Sequence, residues 1–343
     1  MYIQGSKKYK AVYGKTYSQV KEKLHTLNVE NVASDKVCSL NFSEIVSLWL
    51  NATKARVKES SYYSYKSKFN AHISDYFKNE KYSKITAVDI SRFADEKISS
   101  GLSAKYVSDM VAMMKSAAKW CEQTRGYKNM IASAVAPKIK RKELSLLDNA
   151  DRRKLQNYLI NHESNTDTGI YLAMYTGIRI GELCALKWSD VDFDNNILHV
   201  SKTVQRISSP NGKRKTTVKV TSPKTDNAVR EIPLPPFLAS YLKKSSRNDD
   251  TYILSGNNKV VEPSCLSYRF KQILKKANVP PIKFHSLRHT FATDCLQIGF
   301  DVKTLSEILG HSDSETTMRF YIHSSMERKQ ACMSLLVPLA QIS

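Results

Sequence analysis

Negative charge is in short supply in this sequence. Its 343 residues carry 32 Asp and Glu against 53 Lys and Arg, a formal net charge of +21. An excess of that size predicts a polyanionic partner, either nucleic acid or an acidic membrane surface. Other absences decide between them. No apolar run approaches the roughly 18–20 residues of a membrane helix, and no basic amphipathic helix with an exposed apolar face stands out. The N-terminal MYIQGSKKYKAVYGK has no signal-peptide apolar core,. Nucleic acid is therefore the expected partner, with no membrane involved and a cytoplasmic location. The six cysteines (Cys38, Cys121, Cys184, Cys265, Cys295, Cys332) form no C-x-x-C pair. That argues against a zinc ribbon and, without a secretory signal, against a disulfide framework; the thiols are expected to be small buried hydrophobes. Internal repeats at a solenoid period and long low-complexity segments are also missing.

Two common signatures of phosphate chemistry are absent as well. There is no G-x-x-x-x-G-K-[ST] loop, so nucleotide hydrolysis is not expected. No paired cluster of Asp and Glu suggests a two-metal nuclease, and neither metal nor cofactor is expected. A third way of handling phosphate uses arginines to hold its oxygens, a side chain that attacks, and neighbours that move protons.

The chain divides into four stretches. Residues 1–32 hold a short alternating run, KKYKAVY, then TYSQVKEKL, where Thr16 and Gln19 make a capping box,. One strand and one helix cannot bury a core of their own. Residues 38–130 read as a small bundle of four helices. Asn41 and Glu44 cap a segment with Phe42, Ile45, Val46 and Trp49 on one face,. SSYYSYKSKFNAHISDYF, TAVDISRFADEKISS (stopped by Gly101) and SAKYVSDMVAMMKSAAKWCEQ (stopped by Gly126) follow. Residues 131–145 are a basic linker with Pro137, Lys140 and Arg141. In residues 146–343 helices surround one β region: ILHVSKTVQRI and KTTVKV form a hairpin pattern about SSPNGKR, with REIPL as a third strand,.

Tyr62, Tyr63, Lys66 and Lys68 interleave aromatics with positive charge on the second helix. They fit a solvated face with tyrosines at its edges, and equally a phosphate-contacting surface to which Lys105, Lys140 and Arg141 would add charge. For chemistry, TGIRIGEL sets Arg179 just beyond a glycine at a helix start, with Glu182 one turn on. SPKTDNAVREIPL puts Lys224 on a turn between strands, where a long amine reaches into a cleft. HSLRHT spaces His285 and Arg288 to share one helical face. LGHSD places His311 beside Gly310, and Tyr321 follows. Each residue alone has a bland reading: a surface arginine, a solvated lysine, capping histidines, one tyrosine among 18.

Taken in order, TGIRIGELCALKW, PKTDNAVREIPL, HSLRHTFAT and LGHSDSETTMRFY resemble the catalytic domain of tyrosine recombinases, the phage-integrase family of temperate phages and conjugative transposons. The helical piece at 38–130 resembles the family's SAM-like core-binding domain. VYGKTYSQVKEKL resembles the last strand and helix of an arm-type DNA-binding domain, of which only one strand is visible at 1–32. The resemblance implies a mainly α fold with a small antiparallel β-sheet (α+β), in which the core-binding and catalytic domains form a C-shaped clamp on DNA. It implies that Arg179 and Arg288 grip the scissile phosphate, Tyr321 is the nucleophile, His285 takes its proton, and Lys224 protonates the leaving 5′-oxygen. His311 would hydrogen-bond the phosphate, with Glu182 orienting its neighbours from behind. One position departs from the family pattern, Ser286 where Asp is usual; His289 is read as structural.

The implied function is site-specific recombination through a 3′-phosphotyrosyl intermediate, for integration or excision of a mobile element in a bacterial cell. Dimer resolution by the same chemistry and a type IB topoisomerase are the alternatives; an accessory DNA-binding protein with a decayed site is disfavoured because all six catalytic positions are filled. The implied partners are double-stranded DNA with inverted-repeat core sites, excisionase or DNA-bending proteins, and three further copies of a chain that is monomeric in solution. The apolar tail MSLLVPLA would join those copies,.

Overall fold

The structure is a computed structural model that describes residues 40–139, 146–208, 216–222, 229–246 and 248–310, together with Thr16, Gln19, Val20 and Gln330. Lys140, Arg141, Lys224, His311, Tyr321, the tail and most of 1–32 lie outside the described residues. The chain divides into two compact units, Met1–Lys142 and Glu143–Ser343.

In the first unit the capping signals act as the sequence suggests. The Asn41 N–H donates to Glu44 Oε2 at 2.7 Å and opens α1 (Phe42–Thr53), whose Phe42, Ile45, Val46 and Trp49 are buried. Thr86 and Asp89 bond reciprocally at the start of α3 (Ala87–Ser99), and Ser103 caps α4 (Ala104–Arg125), which stops at Gly126,. Helix α2 (Glu59–Lys68) is shorter than its sequence pattern: at Phe69–Ile73 the bonding widens to a π-type turn, with the Ser74 N–H donating to Phe69 O,. The core sits where α1, α3 and α4 meet. There Phe77 packs edge-on to Phe42 at 5.1 Å and beside Phe93 at 5.4 Å, against Met110 and Met114,.

The second unit is built around α6 (Asn165–Thr176), which is buried on nearly every side, apolar from Ile170 to Met174 and with Asp167, Thr168 and Thr176 enclosed as well. Packed on it are α5 (Asn149–His162), α8 (Pro236–Ser245), α9 (Pro263–Lys276) and α10 (His285–Gln297). The short α7 (Ile180–Leu183) and α11 (Val302–Leu309) complete the helices described. The expected single sheet is two. The run ILHVSKTVQRI breaks at Ser201-Lys202: β2 (Ile197–Val200) joins β1 (Val191–Asp192) and β5 (Arg230–Pro233), while β3 (Thr203–Ser208) pairs with β4 (Thr216–Thr221). All pairings are antiparallel, with Leu198 opposite Ile232 and Val200 opposite Arg230. The third strand thus adds to β2 rather than to the hairpin, because its apolar Ile232 is needed on the core beside Leu198,.

One cysteine expectation fails: Cys121, Cys184 and Cys295 are buried, but Cys265, on the solvent side of α9, is exposed. Among the described residues no helix is long and apolar enough to cross a membrane.

Candidate active site

Three helix ends meet at one place in the second unit. Helix α6 stops at Gly177, whose φ of 61° lies in the left-handed region,. A side chain there would also collide: an added Cβ would stand 2.5 Å from Phe291 Cδ1 on α10 and 2.8 Å from Leu309 Cδ2 on α11. The glycine lets these three helices close. Two residues later Arg179 is the N-cap of α7, and its peptide N–H donates to Glu182 Oε2 at 3.1 Å, closing a turn with the carboxylate folded back over the helix start,.

The C-terminus of α11 organises the arginines. The last carbonyls of a helix have no intrahelical donor and carry the negative end of the helix dipole. Here three successive ones each accept from a different guanidinium. Ile308 O accepts from Arg230 Nε at 2.6 Å, Leu309 O from Arg288 Nη2 at 2.7 Å and Gly310 O from Arg179 Nη2 at 2.7 Å. Arg288 Nη1 also donates to Gly177 O at 2.9 Å, which ties α10 to the end of α6. Glu182, 3% exposed, lies between two of the cations. Its Oε1 accepts from Arg179 Nη1 at 2.7 Å and its Oε2 from Arg230 Nη2 at 2.9 Å. Burial alone would raise the pKa of this carboxyl, but Arg230 and then Arg179 outweigh it and hold it below the usual carboxylate range,. Arg288 is 2% exposed, whereas the side chain of Arg179 keeps 35% of its surface. The two therefore differ in how far they are withdrawn from solvent.

His285 opens α10 one turn before Arg288, and its ring meets that of His289 edge-on with centroids 4.6 Å apart. Partial burial of the ring, then His289, Arg288 and Arg179, push its pKa down to about 4, although the residue stays exposed along one edge. It is thus a neutral imidazole at pH 7 with a nitrogen able to accept a proton. Ser286, at the position of departure, is buried. Thr290 Oγ1 accepts from the Leu147 N–H at 3.1 Å and fastens the start of this unit to α10.

Of the catalytic positions expected from the sequence, Arg179, His285 and Arg288 are thus brought together, with Glu182 behind them. Lys224, His311 and Tyr321 fall outside the described residues, as do Lys140 and Arg141. By sequence His311 directly follows Gly310, the residue whose carbonyl Arg179 holds. In the first unit two residues of the expected DNA-contacting face are largely enclosed. Tyr62 is buried against Tyr63, and Lys68, only 11% exposed, pairs with Asp109 at 3.3 Å and lies over the Tyr106 ring. The two are enclosed by different neighbours: Lys68 by α4, and Tyr62 by Tyr63 and by Lys54 at the end of α1, whose ammonium lies 5.9 Å from its ring centroid. Lys66 is exposed and Tyr63 half-buried; Lys105 is exposed but pairs with Asp109 at 2.8 Å.

Sequence reasoning missed Arg230. The signal was present: in a strand read as REIPL, Arg230 and Ile232 share a face, and Ile232 is core,. An arginine on a buried face calls for a carboxylate, and Glu182 is the one it finds.

Residues 140–328 match the model of the phage integrase family, and residues 41–98 match that of the phage integrase N-terminal SAM-like domain. The chain belongs to the phage integrase family. Its curated relatives include a "Tyrosine recombinase XerC-like" protein of Caldanaerobacter subterraneus subsp. tengcongensis, 26% identical over 95% of this chain and 91% of that protein. The ICEBs1 integrase of Bacillus subtilis is 25% identical over 83% of this chain and 79% of its own length. Among solved structures, the Tn1549 transposon integrase in complex with transposon right-end DNA superposes with a TM-score of 0.72 at 21% identity, covering 87% of this chain and 99% of that one. A lambda integrase tetramer bound to a Holliday junction gives a TM-score of 0.61 at 19% identity, covering 88% and 89%. At those identities the likeness is one of fold: mainly helical, with small antiparallel sheets.

Proposed function

We propose that this chain is a site-specific DNA recombinase, an integrase that cuts and rejoins DNA strands through a 3′-phosphotyrosyl intermediate during integration or excision of a mobile element. The observation that carries the reading is the gathering of Arg179, Arg288 and neutral His285 at the end of α11, with His311 next in sequence and Tyr321 beyond. Two guanidinium forks suit a phosphodiester whose non-bridging oxygens gain charge in a pentavalent transition state. The Tyr321 oxygen attacks phosphorus as its proton passes to His285. The P–O5′ bond breaks, and O5′ leaves with the electron pair and takes a proton from Lys224. His311 donates to a non-bridging oxygen. Attack of a 5′-hydroxyl on the phosphotyrosyl phosphorus reverses these steps. The bond energy stays in the covalent link, so rejoining needs no ATP.

The remaining assignments belong to the same proposal. Residues 38–130 act as the core-binding domain and 146–343 as the catalytic domain, joined by the basic linker 131–145 and closing as a clamp around inverted-repeat core sites. The segment 1–32 serves arm-type DNA. Four copies assemble on two duplexes, joined through their tails and directed by excisionase or DNA-bending proteins. Relatedness to an ICEBs1 integrase and, over 49% of this chain, to the Tn916 transposase of Enterococcus faecalis supports the mobile-element reading.

The test is covalent trapping. A nicked suicide substrate built from the ends of the resident element should become attached to Tyr321 through a 3′-phosphate, in the presence of EDTA. Attachment that requires Mg²⁺, or that persists in Tyr321→Phe, overturns the assignment, and sequencing the trapped DNA identifies the core site.

A further inference from the structure

Arg230 takes no part in the mechanism above, yet it is built into the site more deeply than Arg179. Its side chain is 5% exposed against 35% for Arg179. Two of its donors are committed inward, Nη2 to Glu182 Oε2 at 2.9 Å and Nε to Ile308 O at 2.6 Å. The trio Arg179, Glu182 and Arg230 therefore holds two cations and one anion in a largely dehydrated place. With Arg230 present, the charge of Glu182 is shared, and the trio presents a net positive charge through its exposed member. Without it, Arg179 and Glu182 become a closed neutral pair, and a phosphate would compete with a buried carboxylate for the same guanidinium. The carbonyl of Ile308 would lose its donor one residue before the segment gripped by Arg288 and Arg179.

We propose that Arg230 is a positioning residue for strand cleavage: by neutralising Glu182 and clasping the end of α11, it leaves the charge of Arg179 directed at the scissile phosphate. The inference rests on the reading of Arg179 as a phosphate ligand.

A substrate that lacks the phosphate charge tests it. The full chain is assayed in single turnover on the core-site duplex recovered from trapped DNA, with either a normal phosphodiester or an uncharged methylphosphonate at the cleavage position. Arg230→Met should slow cleavage of the phosphodiester by about 100-fold, shift the Kd by less than about threefold, and show a deficit of under about fivefold on the methylphosphonate. Adding Glu182→Gln to Arg230→Met should restore part of the phosphodiester rate, because it removes the carboxylate that captures Arg179. A deficit of equal size on both linkages would mean that Arg230 only maintains the fold, and the inference fails. Arg179→Ala separates this from the underlying reading. If its deficit also ignores the phosphate charge, the role of Arg179 falls and takes that of Arg230 with it. If Arg179→Ala is relieved by the methylphosphonate and Arg230→Met is not, only the inference falls. Should Arg230→Met fail to fold, Arg230→Lys gives the same contrast on a smaller scale, since a single ammonium cannot serve both Glu182 and Ile308.

Discussion

Replacing Arg288 by alanine should separate chemistry from binding. The side chain is 2% exposed and donates to Leu309 O at 2.7 Å and Gly177 O at 2.9 Å, both on buried residues. Its loss leaves two buried carbonyls without those donors, each costing about 1–3 kcal/mol, so the variant should be destabilised by about 2–6 kcal/mol. Rates must therefore be read well below its measured Tm. There the loss of one contact to transition-state charge should lower single-turnover cleavage by about 10²–10³-fold, equivalent to roughly 3–4 kcal/mol. Affinity for the core site should fall far less, because a chain of net charge +21 has many other contacts to the backbone phosphates,. Gel-shift titration gives the affinity, and quantification of covalent complex on the nicked substrate gives the rate. Equal losses in Kd and cleavage rate would refute the assignment and leave Arg288 as a structural tie that also touches DNA.

Two further outcomes follow from particular contacts. Gly177→Ala should cost about 2–5 kcal/mol in chemical denaturation, from the left-handed backbone and the clash with Phe291 and Leu309,. Lys66→Ala should weaken DNA binding and reduce the salt slope of log Kd by about 1, whereas Lys68→Ala, which removes a lysine held by Asp109, should leave that slope unchanged,.

How much of this was legible beforehand differed by the range of the forces involved. Helix starts were readable because a cap is local: Asn41 with Glu44, and Thr86 with Asp89, lie three residues apart and need only each other. His285 and Arg288 were placed on one face for the same reason. The division of ILHVSKTVQRI between two sheets was not readable, since it depends on which distant strand meets Leu198, and the answer, Ile232, lies across both β3 and β4. The enclosure of Tyr62 and Lys68 was not readable either, because an alternation of tyrosine and lysine does not say which neighbours each side of α2 meets. Arg230 was the costliest omission. Its strand was recognised, but an inward arginine takes its meaning from a carboxylate 48 residues earlier in the chain. Motif order pointed to candidate residues; only the fold revealed the end of α11 as the place where three arginines meet.

That meeting point makes a prediction about pH. The His285 ring is crowded by His289, Arg288 and Arg179, and its pKa is lowered from 6.5 to about 4. Between those values the unfolded chain binds a proton that the folded chain does not. Stability contributed by this group is therefore full above pH 6.5 and declines as the pH falls towards 4, with no further slope below. His285→Gln, which cannot be protonated, should flatten part of the fall in Tm between pH 6.5 and 4. His289, whose pKa is lowered by burial and by Arg288, and His72, lowered by burial and by Lys97, contribute in the same direction. Catalysis should not follow the same curve. A scissile phosphate brings a negative charge to Arg179 and Arg288, cancelling part of the repulsion that keeps the imidazole neutral, so its pKa must rise on binding. If His285 accepts the tyrosine proton, the acid limb of the single-turnover cleavage profile should lie above pH 4, and it should disappear in His285→Gln along with most of the rate. An unchanged acid limb in the variant would assign proton acceptance to another group and leave His285 a purely structural occupant of the first turn of α10.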